Sequence, residues 1–145
     1  MNSEHKIFGV EIKVLLSTLW IFVLLNMIFR DIHEMPYYIE EWMTQAANGA
    51  EISELLMLVG GIMVEIPILM VLLSRVLPYR INRWANIIAG VFFITSIFGF
   101  PPGDLDDFFF VAIEIASSSF IIWQAWTWPK PSPQANIRQL SSELN

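Results

Sequence analysis

LLMLVGGIMVEIPILMVLL, residues 55–73, carries one charged side chain, Glu65, in otherwise membrane-compatible sequence. A run of about 18 or more apolar residues reads as a membrane-spanning helix, because about 20 residues cross the roughly 30 Å hydrocarbon core. FFFVAIEIASSSFIIW, residues 108–123, repeats the pattern around Glu114. A carboxylate at such depth is costly and by default faces the interior of a helix assembly. Both glutamates are therefore expected to be buried and to mark a functional site.

Working outward, two more apolar stretches complete a set of four. The expected spans are residues 13–33, 52–77, 84–100 and 105–128, in a single membrane domain of residues 1–130 followed by a flexible polar cytoplasmic tail, 131–145. In the first, the wholly apolar part, 14–29, is about 24 Å long at 1.5 Å per residue, so Arg30 and Asp31 reach the boundary or shelter among the helices. Pro36 is expected to end this helix, since proline interrupts the hydrogen-bond ladder. Pro67 lies inside the second span and frees a carbonyl that neighbours must satisfy. Short connections, apart from 37–51, predict antiparallel neighbours. The fold class is all-α, an integral-membrane antiparallel bundle of four transmembrane helices.

Composition agrees. Of the 145 residues, 55% are hydrophobic and 15% charged, where a soluble domain carries about 25% charged. The chain has no cysteine, which excludes disulfides and thiol chemistry. Its formal net charge of -6 argues against nucleic acid as a partner. The apolar stretch 14–29 is followed by Arg-Asp-Ile-His-Glu and no small-residue cleavage site, so it is expected to stay as an anchor.

Orientation follows from lysine and arginine. Lys6 and Lys13 precede the first span, Arg75, Arg80 and Arg83 lie between the second and third, and Lys130 and Arg138 follow the fourth. Only Arg30 falls on the other side, so both termini are expected to be cytoplasmic. The opposite side is acidic, with Glu40, Glu41, Glu51 and Glu54 in one connection and Asp104, Asp106 and Asp107 in the other. Trp84, Trp123, Trp126 and Trp128 fall where an interfacial aromatic belt is expected.

The candidate ligand-binding residues are Glu65, Glu114, Asp31, Glu34, Arg30, Asn26 and His33. Asn26, Arg30 and either His33 or Glu34 share one helix face at spacings of three and four. Arg30 can pair with Glu34 on its own helix or with Glu114 across the helices. Gly60-Gly61 and Ser117-Ser118-Ser119 lie near the two glutamates and suit close helix packing. The histidine spacing does not fit the helical zinc pattern, and no phosphate loop or nucleophile triad is present, so no metal site, cofactor or catalytic residue is assigned.

The succession Leu19-Trp20, Asp31 to Glu34, Glu65-Ile66-Pro67, Ile81-Asn82-Arg83-Trp84-Ala85-Asn86-Ile87-Ile88, Ile113-Glu114-Ile115 and Trp123-Gln124-Ala125-Trp126-Thr127-Trp128-Pro129 resembles an uncharacterised family of small four-span bacterial membrane proteins. The resemblance runs from about Val10 to Lys130. It implies a four-helix fold in the bacterial inner membrane and no established activity. In layout alone the chain is also similar to DoxX-type four-helix membrane proteins, some of which accompany quinone-linked redox enzymes.

Three functions fit these residues. The leading one is an accessory membrane protein that holds a small amphipathic or lipid-like ligand in an intrabundle pocket with buried carboxylates. The alternatives are a proton-coupled transporter of small cations and a structural subunit of a membrane complex. Expected partners are the lipid bilayer, such a ligand, and a second copy or another membrane subunit. Catalysis by paired carboxyls is the least supported class, because it requires pKa values pushed apart at a fixed separation.

Overall fold

The computed structural model describes residues 6–7, 9–49, 53–99, 103 and 105–130. The expected tail at 131–145 lies outside the described residues, as do His5, Glu51 and Asp104. Four helices pack together: α1 (Ile12–Ala47), α2 (Glu54–Val76), α3 (Tyr79–Ser96) and α4 (Leu105–Thr127). A two-residue antiparallel hairpin, Lys6–Ile7 against Val10–Glu11, precedes them. Gly9 allows its tight turn at φ +79°.

Three of the helices are long and apolar enough to cross a membrane: α1, residues Met57–Val76 of α2, and α4. α3 is not among them. It begins at Tyr79, five residues before the expected start, so its 18 residues include Arg80, Asn82, Arg83 and Asn86. The turn between α2 and α3 shrinks to Leu77 and Pro78, whose fixed φ near -67° leads straight into the helix.

The expectation that Pro36 ends α1 is corrected. The helix runs through it to Ala47, 36 residues in all. A single proline removes one backbone hydrogen bond, and the sequence beyond it favours helix. Glu41 accepts a hydrogen bond from Gln45 one turn on at 2.9 Å, and the Thr44 hydroxyl donates to the Glu40 carbonyl at 2.9 Å. The stretch expected to be a loop at 37–47 is therefore helix. It stops at Asn48 and Gly49, where Gly49 takes φ +79° and its N–H donates to the Ala46 carbonyl at 3.0 Å.

The helices surround one core. α1 packs on α2 and α4, and α3 packs on α4 and α2. Ile12, Leu16, Trp20, Val23 and Met27, at the three-and-four spacing of one helix face, form its spine. Met70, Ala89, Phe93 and Ile121 close around them. Trp20 is fully buried, and its indole meets the Phe93 ring edge-on at 5.8 Å.

The packing gives the molecule two unlike ends. At one end Lys13 reaches the Arg75 carbonyl, Tyr79 stacks edge-on against Trp128, and Arg83 lies over the Trp126 ring. Just inside it is a satisfied polar network. The Trp20 indole N–H donates to Asn86 Oδ1 at 2.7 Å, Ser74 donates to the same oxygen at 3.2 Å, and the Asn86 amide donates to Asn82 Oδ1 at 2.7 Å. Asn82 in turn donates to the Ser74 carbonyl at 2.6 Å. Buried polar groups satisfied this fully fix helix register instead of inviting a ligand. The other end carries the acids.

Candidate functional site

Asn26, Arg30, Glu34 and Tyr38 follow one another at intervals of four along α1, so one face of the helix carries amide, guanidinium, carboxyl and phenol in order. α4 answers with Asp107, Val111 and Glu114 at intervals of four and three. Where these faces meet, Arg30 Nη1 donates to Glu114 Oε2 at 3.3 Å. The Asn26 amide donates to the Phe110 carbonyl at 3.0 Å and to Glu114 Oε1 at 3.4 Å. Both oxygens of a carboxylate 8% exposed thus have partners. Arg30 Nε also lies 3.9 Å from Asp31 and 3.9 Å from Asp107. Of the two partners the sequence allows Arg30, the structure pairs it with Glu114.

Beside this cluster opens a cavity of about 550 Å³. Its polar wall is Arg30, Asp31, Glu34, Tyr38, Asp107 and Glu114. Its apolar wall comes from the other helices as well, with Met63 and Val64 of α2, Phe93 of α3 and Val111 of α4, and Gly60 leaves open space on α2. The cavity is a cleft with one charged side and one oily side, of the volume that small-molecule sites have. Four carboxyl groups face it against one guanidinium, so its field is negative.

Glu34 lies beyond the apolar stretch of α1 and is buried, with Oε1 lacking any hydrogen-bond partner. Burial pushes its carboxyl up to about 7, and a hydrogen bond to the neighbouring Asp107 carboxyl adds to the shift. Tyr38, one turn further along α1, is pushed up to about 12, chiefly because its hydroxyl is hydrogen-bonded to Glu34. A buried carboxyl oxygen without a partner, at the edge of a cavity, is an acceptor left for something else to fill.

The candidates divide as follows. Asn26, Arg30 and Glu114 form one bonded group, and Asp31 and Glu34 stand beside it on the cavity wall. His33 does not join them. It points away, 3.1 Å from Asp106 and tilted against the Phe110 ring.

Glu65 is corrected most. It is exposed, not buried, and is absent from the cavity wall. The reason is helical phase. Met63, Pro67, Met70 and Ser74 are the inward ridge of α2, and Val64 borders the cavity, so Glu65, about 100° further round, faces out. The expectation that every mid-helix carboxyl turns inward does not hold for it.

Asp107 and Tyr38 were not among the candidates, although both face the cavity. Asp107 has a signal in the sequence, its seven-residue spacing from Glu114 on α4. Tyr38 has one too, four residues after Glu34, concealed by the assumption that Pro36 ends the helix. Among the described residues no cluster of three or more His, Cys, Asp or Glu is arranged to hold a metal ion.

No curated protein and no solved structure matches the chain, and the comparisons show no likeness to DoxX-type proteins. The uncharacterised family suggested by the tryptophan, Asn-Arg-Trp and glutamate motifs is borne out. Residues 5–134 match the family described as "Family of unknown function (DUF6326)", and over that span, nearly the whole chain, the protein belongs to it.

Proposed function

We propose that this protein is a multi-pass membrane protein that holds a small amphipathic molecule in the cavity between α1, α2, α3 and α4. The head of that molecule is cationic or rich in hydrogen-bond donors, and its apolar part lies against Met63, Val64, Phe93 and Val111. One observation carries the reading: a two-sided cavity in which four carboxyls outnumber one guanidinium and a buried Glu34 oxygen has no partner. A donor or cation entering from the acidic end satisfies that oxygen and offsets the excess negative charge, while the oily wall covers the tail.

Three sufficiently apolar helices support insertion, with α3 held among them. Lys13, Arg75, Arg80, Arg83 and Lys130 gather toward one end, which the positive-inside rule makes cytoplasmic in a bacterial inner membrane. The cavity then opens toward the opposite side. The α1 extension after Pro36, eleven residues and about 16 Å, stands clear of the hydrocarbon there.

Native mass spectrometry of gently extracted protein tests the reading, with wild type beside Glu34→Gln and Glu114→Gln. A small molecule should accompany the wild type and be depleted at least about tenfold in each variant, since a lost charged contact is worth about 1.5–3 kcal/mol. Equal retention of the same mass by all three proteins would sink the proposal, as would a wild type that carries nothing.

A further inference from the structure

Glu34 of α1 and Asp107 of α4 both line the cavity, and their carboxyl groups are hydrogen-bonded to each other. Two carboxylates cannot make such a bond, because an ionised carboxyl only accepts, so one of the pair must carry a proton. The surroundings say which. Asp107 already receives the Gly103 N–H on Oδ2 at 2.9 Å and has Arg30 Nε 3.9 Å from Oδ1. Glu34 is 9% exposed, and its Oε1 has no hydrogen-bond partner. The proton therefore belongs to Glu34, which donates it to Asp107 and keeps Oε1 as a bare acceptor.

The other groups around Glu34 do not compete for that role. Arg30, Asp31 and Tyr38 face it from α1, and Asp107 and Glu114 from α4. Among the described residues α2 and α3 bring no titratable group to the cavity wall. Both Glu114 oxygens have donors in Asn26 and Arg30, and the Asp31 side chain is 56% exposed, so neither is left, like Glu34, buried without a donor.

We infer that the cavity exchanges a proton for its ligand: a cation bearing N–H groups takes the place of the proton shared by Glu34 and Asp107, and that proton leaves to water. The step balances. The Glu34 O–H bond breaks, one positive charge leaves the site as another enters, and ligand N–H groups then bridge the two carboxylates and fill Oε1. A quaternary ammonium head has the same charge but no hydrogen to donate, so the site selects primary ammonium, guanidinium or amidinium heads. This exchange rests on the ligand reading proposed above and specifies its head group and its coupling.

The direction of the pH dependence follows. Burial and the Asp107 contact push Glu34 up to about 7, so the empty site holds its proton below that value and loses it above. The ligand binds the ionised form. By linkage its affinity is full well above 7 and falls as pH drops through 7.

Dodecylguanidine is the probe, because its guanidinium stays charged at neutral and mildly acidic pH. Titrated into the wild type in weakly buffered non-ionic detergent, it should bind about tenfold more weakly at pH 6 than at pH 8. Close to one proton per bound ligand should be released at pH 6 and little at pH 8. Dodecyltrimethylammonium should bind about tenfold or more weakly than dodecylguanidine at pH 8. Asp107→Asn offers Glu34 an amide donor in place of the shared proton. Its affinity should therefore differ by less than about twofold between the two pH values, with release below about a third of the wild type's. Glu65→Gln removes an acid outside the cavity and should release as the wild type does, which separates the site from the charge of the micelle surface.

Equal wild-type affinity at the two pH values, with no proton released, would overturn the exchange, and this titration needs no variant to fold. So would release by Asp107→Asn equal to the wild type's, or a trimethylammonium head held as tightly as guanidinium. Binding of dodecylguanidine at neither pH would fail the ligand reading and the exchange together, whereas tight binding without release fails the exchange alone.

Discussion

Arg30 is the residue on which the acidic end turns, because one guanidinium serves Glu114, Asp107 and Asp31 together. Removing it strands a carboxylate that is 8% exposed among like charges, and such a loss costs far more than the pair is worth against a neutral substitute. Arg30→Gln is therefore expected to destabilise by about 1–3 kcal/mol, less than the roughly 3–5 kcal/mol of a fully buried pair because the Arg30 side chain is 24% exposed. Glu114→Gln keeps an oxygen for the Asn26 amide and leaves Arg30 with its two aspartates, so it should cost less. The double variant Arg30→Gln/Glu114→Gln should recover much of the loss. Thermal unfolding of the four proteins in one detergent reads this cycle. A double variant no more stable than Arg30→Gln would show that the guanidinium acts through Asp107 or Asp31 instead. The residue ladder behind the cluster was legible in the sequence as far as Arg30. Asn26 and Arg30 stand at helical spacing with either His33 or Glu34, and it is the structure that takes Glu34 and turns His33 away. Glu65 was not legible, because depth in an apolar run says how costly a charge is and nothing about which way its helix is turned.

At the scale of elements, local signals placed most helix ends and tertiary packing decided the others. α4 could be read to within a residue, since Pro129 and the acids of its first turn mark both ends. Two differences involve prolines, one of which is no boundary at all and the other a boundary for both its neighbours. Pro36 lies inside α1, and Pro78 starts α3 directly instead of leaving a loop. The role of Asn82 and Asn86 was also hidden. Nothing local says that Asn86 will meet the Trp20 indole across 66 residues.

Where α3 meets α4 the contact is close enough to be tested. A Cβ added at Gly90 would stand 2.7 Å from Ile122 Cγ1 and 3.4 Å from the Ser118 carbonyl oxygen. The first distance is shorter than any real contact, and Cγ1 is not the free end of the side chain, so the helices must part or Ile122 must leave its rotamer. Gly90→Ala should destabilise by about 1–3 kcal/mol, the usual cost of overpacking, despite the better helix propensity of alanine. Gly90→Ala/Ile122→Ala should recover part of that loss relative to the sum of its single variants, a non-additivity that equilibrium unfolding detects. Strict additivity would place the clash elsewhere.

The whole molecule is polarised between an end that is closely packed around a hydrogen-bonded network and an end that is hollow and charged. The first holds the Trp20, Ser74, Asn82 and Asn86 network; the second holds the cavity and the unpartnered Glu34 oxygen. Interiors are ordinarily filled to crystal-like density, so about 550 Å³ of open cleft represents stability forgone. A cleft kept for a ligand should therefore be easy to stabilise at the expense of binding. Gly60 is the position that asks the question, because it borders the cleft and a Cβ there meets nothing within 4 Å. Gly60→Leu replaces a poor helix former and places apolar volume where no atom stands. It should raise stability by roughly 1 kcal/mol, from helix propensity alone. Binding of dodecylamine, an amphiphile with a cationic head, should fall about tenfold or more in the same variant, measured by titration in a non-ionic detergent. Trp20→Phe, at the packed end, should do the reverse. It removes the shorter of two hydrogen bonds to the Asn86 oxygen, leaves space where the indole stood, and lowers stability by about 1–3 kcal/mol while amphiphile binding is unchanged. Opposite signs at the two ends are what a site predicts and what a loosely packed core does not. If Gly60→Leu lost stability and kept its affinity, the cleft would be an imperfection of packing and the acids around Arg30 a structural network alone.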